Sequence, residues 1–389
     1  MTEAIDSRGR VIWFEAIPKV ELHLHLEGAI PLKAFWELVR KYGGDPSVPN
    51  LAALRQKFEF ADFPQFIRTW SWKSGFLREY EDFTHISEAV ARTLVNQNIR
   101  HVEASISPSD FSDRGLKTQR LIEAVRTGLS KVQGVEVSLI VDLVRDDGAE
   151  KAAETLSEAS ETLSLGVVGV GLGGSEHRFP PEPFEAVFAA ARRLGLRATA
   201  HAGEAAGAES VWGALRSLRV DRIGHGVRAA EDEDLLDYLA ERGVPLEICP
   251  TSNLRTGVVR SIEEHPVRRY IERGLIVTIN TDDPAMFGCS LAGEYRLLVE
   301  QLGFSRADVR NLVLQAARSS WLPEDRKLDL VEKLRNDPAW DEARGGSTPA
   351  LPSSSSSRSS PRYRAAGSDR RSWIGWREGR RNPGRLRSR

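Results

Sequence analysis

Short apolar runs rich in Val and Ile alternate with longer amphipathic segments along most of the chain. Such runs are typical of strands that are buried on both faces of a parallel sheet. The segments between them, for example Pro183 to Leu194 and Asp232 to Arg242, have the length of crossover helices. Eight strands with intervening helices predict an α/β fold, a (β/α)8 barrel of the TIM type. The predicted strands are Val20 to His23, Ile99 to Ser105, Val135 to Val141, Val167 to Gly171, Ala198 to His201, Arg222 to His225, Pro245 to Cys249 and Ile276 to Thr281.

Two stretches depart from this alternation. Residues 31–95, between the first two strands, are too many for a simple crossover and include a series of Trp and Phe side chains. They predict a helical insertion over the barrel mouth, in which the aromatic rings form the core of the insertion in preference to a stacking platform. Residues 341–389 are rich in Arg, Ser, Pro and Gly, which predicts a disordered basic tail after a single domain of residues 1–340.

Composition places the chain among globular proteins, with 41% hydrophobic and 28% charged residues. The net charge of −1 hides twelve Arg in the tail, so the predicted barrel is acidic and we expect no specific nucleic-acid partner. No run of about 18 apolar residues occurs and no apolar signal segment opens the sequence, so we expect no membrane partner either. Cys249 and Cys289 cannot form a disulfide framework, which favours the reducing cytoplasm.

Histidines open the chemical pattern, in the motif ELHLHLEG at the end of the first predicted strand. Residues two apart in a strand share a face, so His23 and His25 point together into the barrel. Two neutral imidazoles in this arrangement suit a zinc or iron ion. Taken alone, the pair also fits two chance histidines on a half-exposed strand.

Three further motifs fall where later strands end: TAHAGE after the fifth, RIGHG after the sixth and NTDDP after the eighth. TIM-barrel enzymes carry their active sites at this end of the strands. We therefore expect His201 and Asp282 to join the first two histidines around one divalent ion. Glu204, His225 and Asp283 then surround its open coordination position. Spare acid and base groups around a metal indicate catalysis, whereas a structural site is closed by its protein ligands.

A glycine-rich run follows the fourth predicted strand. Gly169 to Gly174 matches GxGxxG, the pattern of dinucleotide-binding loops. No helical pattern follows at once, because Ser175 to Pro181 intervenes, and Leu194 stands where that pattern has an acidic residue. We therefore interpret the glycines as room for a substrate to approach the backbone closely.

The motifs ELHLHLEGA, HAGE, RIGHG and NTDDP, in this order and at these separations, resemble those of the adenosine deaminase family from about residue 18 to residue 321. The resemblance implies a hydrolase of purine metabolism, built on a (β/α)8 barrel with one Zn²⁺ per chain. It also implies that the zinc ligands are His23, His25, His201 and Asp282.

The same resemblance implies roles for the residues around the metal. Glu204 would deliver a proton to the purine ring, and His225 would orient or deprotonate the zinc water. Asp283 would hydrogen-bond the purine N7, and the backbone of Gly174 would meet the N3 side. These roles suit the chemistry, because hydroxide attack on C6 requires protonation of N1 as C6 becomes tetrahedral.

Two departures from the animal-type pattern of the family concern the sugar side of the substrate. Glu27 stands where that pattern has Asp, and Ser105 stands where it has Arg. The resemblance places Glu27, together with His25, among the contacts to the substrate. We expect deamination of a 6-aminopurine, with adenosine favoured by the pattern from Phe287 to Leu291, and with adenine or aminodeoxyfutalosine as alternatives.

Two interpretations of another class stay open at this point. A barrel esterase or phosphoesterase would use the same zinc hydroxide, although Glu204 would have no natural role in it. A non-catalytic protein that binds nucleosides, or nucleic acid through the basic tail, would show no turnover. The oligomeric state does not follow from these patterns.

Overall fold

The computed structural model describes residues 13–60 and 63–341, so the predicted tail of residues 341–389 lies outside the described residues apart from Asp341. The described strands form one parallel sheet in chain order. They are β1 Lys19–His25, β2 Ile99–Ile106, β3 Glu136–Val144, β4 Val167–Gly173, β5 Arg197–Ala202, β6 Arg222–His225, β7 Leu246–Ile248 and β8 Val277–Ile279. Each overlaps one of the eight strands predicted from the apolar runs, and β6 has the predicted bounds.

The sheet closes on itself between β1 and the end of β8. Leu24 forms a parallel bridge with Asp282, just beyond β8. The N–H of His25 donates to the carbonyl of Asp282 at 2.9 Å, and the N–H of Asp282 donates to the carbonyl of His23 at 3.0 Å. The predicted TIM-type barrel is therefore confirmed, and its closure places a predicted metal ligand of the last strand beside the two histidines of the first.

Helices lie before, between and after the strands along the described part of the chain. They are α1 Trp13–Ala16, α2 Leu32–Lys41, α3 Leu51–Lys57, α4 Phe63–Ser74, α5 Tyr80–Asn96, α6 Thr118–Ser130, α7 Gly148–Ala159, α8 Glu185–Arg193, α9 Ala208–Gly213, α10 Glu233–Arg242, α11 Pro250–Arg255, α12 Val267–Glu272, α13 Pro284–Phe287, α14 Leu291–Leu302, α15 Arg306–Ser319 and α16 Glu324–Arg335. Among the described residues, none of these helices is both long enough and apolar enough to cross a membrane.

Helix α10 shows how local sequence sets the ends of these elements. The side chain of Asp232 accepts a hydrogen bond from the N–H of Leu235 at 3.1 Å, which caps the first turn. Gly243 follows the last residue with a left-handed φ of 63°, a conformation that suits glycine at a helix end. The predicted helix Asp232 to Arg242 is thus confirmed.

Alternation along β1 separates the barrel interior from the helix layer. Leu22 and Leu24 are 1% exposed and belong to the apolar core. Glu21 and His23 lie on the opposite face of the strand, as the period of two requires. This face carries polar groups toward the centre of the barrel.

Helices α2 to α4 form the predicted insertion between β1 and β2. The ring of Phe35 packs edge-on against Phe58, Trp72 and Phe76, with ring centres 5.5–5.9 Å apart. The ring of Phe66 stacks on a phenylalanine of α13 at 5.1 Å, which joins the insertion to the carboxyl end of the barrel. Helix α5, by contrast, packs against β2 and α6 and is part of the outer ring of barrel helices.

Candidate active site

The histidine and aspartate motifs meet at the carboxyl end of the barrel. His25 Nε2 lies 3.2 Å from His201 Nε2 and 3.3 Å from Asp282 Oδ1. His23 Nε2 lies 3.5 Å from the same aspartate oxygen. Ligand atoms of His23, His201, His225 and Asp282 also lie within 4.8 Å of one another. The structure thus brings together all four residues predicted as ligands and adds His225 to the cluster.

Two residues of this cluster have an unusual backbone. The φ angles are 61° at His225 and 64° at Asp282, in the left-handed region that glycine adopts more readily. Such strain concentrates at functional sites, where the surrounding structure holds it in place. Here both residues lie at the carboxyl ends of strands, His225 as the last residue of β6 and Asp282 three residues after β8.

Buried charged side chains orient the ring of His23 from the side away from the cluster. Its Nδ1 lies 2.9 Å from Glu247 Oε2, so Nδ1 carries the proton and the Nε2 lone pair points to the cluster. Arg222 pairs with Glu247 at 2.5 Å and with Glu103 at 2.6 Å. The three charged side chains are at most 1% exposed, so the charge of each depends on its partners.

The remaining contacts of the cluster suit a metal ion. Ser252 Oγ donates to Asp282 Oδ2 at 2.7 Å, which leaves Oδ1 for the cluster. Nε2 of His23 is buried and makes no hydrogen bond among the described residues. Lone pairs that face one another at these distances repel unless a cation lies between them, and nitrogen with carboxylate ligands matches zinc. His23, His25, His201 and Asp282 are therefore able to hold one such ion.

His225 differs from the other histidines of the cluster in its contacts. Its Nδ1 lies 3.2 Å from Asn253 Nδ2, and its Nε2 lies 3.6 Å from Glu204 Oε2. Burial lowers the pKa of His225 to about 3. The ring is therefore neutral at neutral pH, and it stands between the cluster and Glu204.

Glu204 sits in a loop that another carboxylate organises. Glu176 accepts hydrogen bonds from the N–H groups of residues 203–206, at 2.6–3.1 Å. Burial, followed by the negative charges of Asp282 and Glu176, raises the pKa of Glu204 well above its ordinary value. The raised pKa favours the protonated form of the Glu204 carboxyl group. Sequence reasoning missed Glu176, although an acidic residue two positions after the glycine-rich run was a visible signal.

Asp283 approaches the backbone of Gly28 so closely that no side chain fits there. A Cβ at Gly28 would lie 1.7 Å from Asp283 Oδ1. Burial raises the pKa of Asp283 well above its ordinary value. Lys73 of the insertion is buried nearby, where its Nζ donates to the carbonyl of Glu27. The insertion therefore contributes a cation to this side of the site, which the sequence patterns did not predict.

The other predicted substrate contacts also follow strands at this end of the barrel. Glu27 is 2% exposed, and its Oε1 accepts a hydrogen bond from the N–H of Ser107 at 3.0 Å. Gly174 has a φ of 96° and lies so near Asp146 that a Cβ would meet its Oδ2 at 2.5 Å. The surroundings of the two residues therefore come from different loops, with Ser107 after β2 beside Glu27 and Asp146 after β3 beside Gly174.

A buried carboxylate on β3 was missed by the sequence patterns. Asp142 is 4% exposed, and its Oδ2 accepts a hydrogen bond from Ser107 Oγ at 3.3 Å. Its Oδ1 has no hydrogen bond among the described residues, and burial raises the pKa of the group to about 6. A Cβ at Gly171 or Gly173 would lie 2.7 or 2.5 Å from its oxygens. The two glycines thus make room for a side chain of the protein, whereas the sequence interpretation assigned that space to substrate.

Comparisons with known proteins show the family of the chain. The family model described as adenosine deaminase matches residues 18–337. The aminodeoxyfutalosine deaminase of Streptomyces avermitilis is 36% identical over 349 residues, which cover 86% of this chain and 97% of that protein. The structure of an adenine deaminase from Arthrobacter aurescens has a TM-score of 0.77 and 32% identity, and covers 82% of this chain and 98% of that one. An amidohydrolase from Burkholderia ambifaria, solved with bound Zn, has a TM-score of 0.73 and 25% identity, and covers 87% of this chain and 96% of that one. The chain therefore belongs to the adenosine deaminase family, and it is a metal-dependent aminohydrolase.

Proposed function

We propose that the chain catalyses the zinc-dependent hydrolytic deamination of a 6-aminopurine, with release of ammonia and a 6-oxopurine. The observation that carries this proposal is the Glu204 carboxyl group, whose Oε2 lies 3.6 Å from His225 Nε2 beside a cluster of imidazoles and one carboxylate, and whose pKa is raised by burial. A buried acid next to a metal site is what addition of water to an aminopurine requires. The esterase and the non-catalytic interpretations do not explain this acid, and family membership removes their support.

The metal ligands in this proposal are His23, His25, His201 and Asp282. A zinc ion lowers the pKa of a bound water to about 7 and thereby supplies a nucleophile at neutral pH. His225 is left out of the ligand set because its Nδ1 is already bonded and its Nε2 also faces Glu204.

Glu204 is the proton donor in this proposal. The oxygen of water forms a bond to C6 while the carboxyl proton of Glu204 moves to N1, which removes the charge that would otherwise build up in the ring. The Glu204 carboxylate then takes one proton from the added water and passes it to N6, so the C6–N6 bond breaks and ammonia leaves. The remaining hydroxyl proton returns to Glu204 as C6 becomes a carbonyl. Because Glu176 fixes the backbone on both sides of Glu204, the carboxyl group keeps its place during these proton transfers.

Asp283, Gly174, Glu27 and His25 complete the site in this proposal as contacts to the purine and its substituent. Burial raises the pKa of Asp283 and so favours its protonated form, in which the carboxyl group donates a hydrogen bond to N7, which has a lone pair and no hydrogen. The backbone of Gly174 faces the N3 side. Glu27 lies toward the substituent on N9, since its free Oε2 can accept a hydrogen bond from a hydroxyl group.

The substrate that we propose first is aminodeoxyfutalosine, followed by adenine. Support comes from the relatives described above, which are named for these two activities. Adenosine, which the sequence patterns favoured, has less support. The free Oδ1 of Asp142 and the hydroxyl of Ser107 offer hydrogen-bonding groups to a sugar, which favours a nucleoside over a free base. A cytoplasmic location is part of the proposal and rests on the two free cysteines.

The test is metal analysis followed by ammonia release with aminodeoxyfutalosine, adenine, adenosine and AMP at equal concentration. We expect about one zinc per chain and the highest kcat/KM with aminodeoxyfutalosine. Highest turnover with adenine would support the second choice. A zinc-loaded protein that releases ammonia from none of the four compounds would overturn the proposal.

A further inference from the structure

Three buried side chains form a hydrogen-bonded chain that ends at His225. His265 and Asn253 are 4% and 0% exposed, and neither belongs to the proposed ligand set or to the proposed acid. This series of hydrogen bonds starts at the backbone N–H of Val267, in the first turn of α12. It runs through His265 and Asn253 to the ring of His225. Because its first donor is a backbone N–H, the direction of every bond in the chain can be derived.

The first bond determines the tautomer of His265. The N–H of Val267 lies 3.1 Å from His265 Nδ1. A backbone N–H only donates, so Nδ1 must be the acceptor and the proton of the neutral ring is on Nε2. That Nε2 lies 3.3 Å from Asn253 Oδ1 and donates to it.

The second bond determines the orientation of the Asn253 amide. Because Oδ1 accepts from His265, Nδ2 points the other way, and it lies 3.2 Å from His225 Nδ1. An amide nitrogen only donates, so His225 Nδ1 accepts and the proton of the neutral His225 ring is on Nε2. The Nε2–H group is buried and makes no hydrogen bond among the described residues.

We infer that Asn253 and His265 are positioning residues, which hold His225 as a neutral ring that presents Nε2–H to the reacting oxygen. This inference rests on the proposed function for the identity of that oxygen, which comes from water and becomes bonded to C6. In this tautomer Nε2 has no lone pair, so His225 neither binds the metal through Nε2 nor accepts a proton there. Its role is to donate a hydrogen bond to an oxygen that gains negative charge, as donors in oxyanion holes do.

The direct test is the tautomer of His225 in the metal-free protein without substrate. Long-range ¹H–¹⁵N correlation spectra at neutral pH distinguish a protonated from an unprotonated ring nitrogen, and the chain has only eight histidines to assign. A His225→Gln variant identifies the signals. We expect an unprotonated Nδ1 and a protonated Nε2 for both His225 and His265.

The variant Asn253→Asp reverses the direction of the hydrogen bond between residue 253 and His225 Nδ1, with almost no change in side-chain size. A carboxylate only accepts, so it draws the proton of His225 to Nδ1. Asn280→Asp is the matched control, because Asn280 is equally buried and contacts Leu22 and Thr278 instead of a histidine. We expect the tautomer of His225 to change in Asn253→Asp and to stay unchanged in the control.

Kinetics of the zinc-loaded enzyme supply the second readout. Loss of one oxyanion donor lowers kcat by about 10²–10³-fold. We expect that loss in Asn253→Asp with KM within about threefold. We also expect His225→Gln, whose amide donates but is no base, to retain at least about tenfold more activity than His225→Ala. Should Asn253→Asp fail to fold, the wild-type spectrum still tests the tautomer of His225, and the two His225 variants still test its role as a hydrogen-bond donor.

Two results would overturn the inference. One is a proton on Nδ1 of His225 in the wild-type protein, and the other is equal activity of His225→Gln and His225→Ala. The spectra need neither metal nor turnover, so they stand even if no 6-aminopurine is deaminated. Conversely, deamination by an enzyme whose His225 carries its proton on Nδ1 would leave the proposed function intact and refute only this inference.

Discussion

The buried carboxylates on either side of Arg222 lead to a prediction that separates metal binding from stability. Glu103 and Glu247 each pair with Arg222, at 2.6 and 2.5 Å, and both are fully buried. Only Glu247 also contacts a proposed ligand, His23 Nδ1, at 2.9 Å. The variants Glu247→Gln and Glu103→Gln therefore remove the same charge beside the same arginine, but only one of them disturbs the cluster.

The magnitudes follow from these contacts. Hydrogen bonds to charged groups contribute about 1.5–3 kcal/mol each, so both variants should lose a comparable free energy of unfolding of that size. A residue that orients a metal-binding histidine is worth about 10–100-fold in metal affinity, which corresponds to about 1.4–2.8 kcal/mol. We expect this loss in Glu247→Gln and a change of at most about twofold in Glu103→Gln.

Two assays measure these quantities separately. Competition of each metal-free variant with a chromogenic zinc chelator yields the Kd for zinc, and urea unfolding of the metal-free proteins yields stability. Equal weakening of zinc binding in the two variants would show that Glu247 acts through general stability. An unchanged Kd in Glu247→Gln would remove His23, or its contact with Glu247, from the metal site.

Three other predictions concern single groups. Glu204→Gln should keep zinc and still bind product while kcat falls by at least about 10²-fold, so loss of zinc in that variant would make Glu204 a ligand. Asp142→Ala should lower kcat/KM for nucleosides more than for adenine, and an equal effect on both would place Asp142 away from the sugar. Burial alone would raise the pKa of Glu103, but Arg222 lowers it to about 2, below its ordinary 4.5. The group is charged and stabilising above pH about 4.5, and its contribution is lost as pH falls toward about 2, so urea unfolding across this range should show a decrease that Glu103→Gln flattens.

Local sequence determined the strands of the barrel and the positions of the site residues that lie at strand ends. A strand buried on both faces must be apolar, and its side chains must alternate, so the eight strands and the shared direction of His23 and His25 follow from neighbouring residues alone. The same locality places the other motifs at strand ends. His201 and His225 lie at the ends of β5 and β6, Asp282 follows β8 by three residues, and parallel strands bring their carboxyl ends together.

Tertiary structure decided what supports those residues. Glu247 meets His23 from 224 positions away, and Asn253 meets His225 from 28 positions away. No periodicity relates such pairs, because the contact depends on barrel closure and on the path of each loop. Lys73 illustrates the point, since it reaches the site only after the helices of the insertion fold across the barrel mouth.

The glycine-rich run shows why even a clear local signal can be assigned to the wrong purpose. Its sequence shows only that side chains are missing at Gly171 and Gly173. The space that they leave is filled by Asp142 of the neighbouring strand, at distances where a Cβ would collide with its carboxylate. A glycine in a strand indicates that another group approaches the backbone closely. The register between β3 and β4 determines that this group is Asp142.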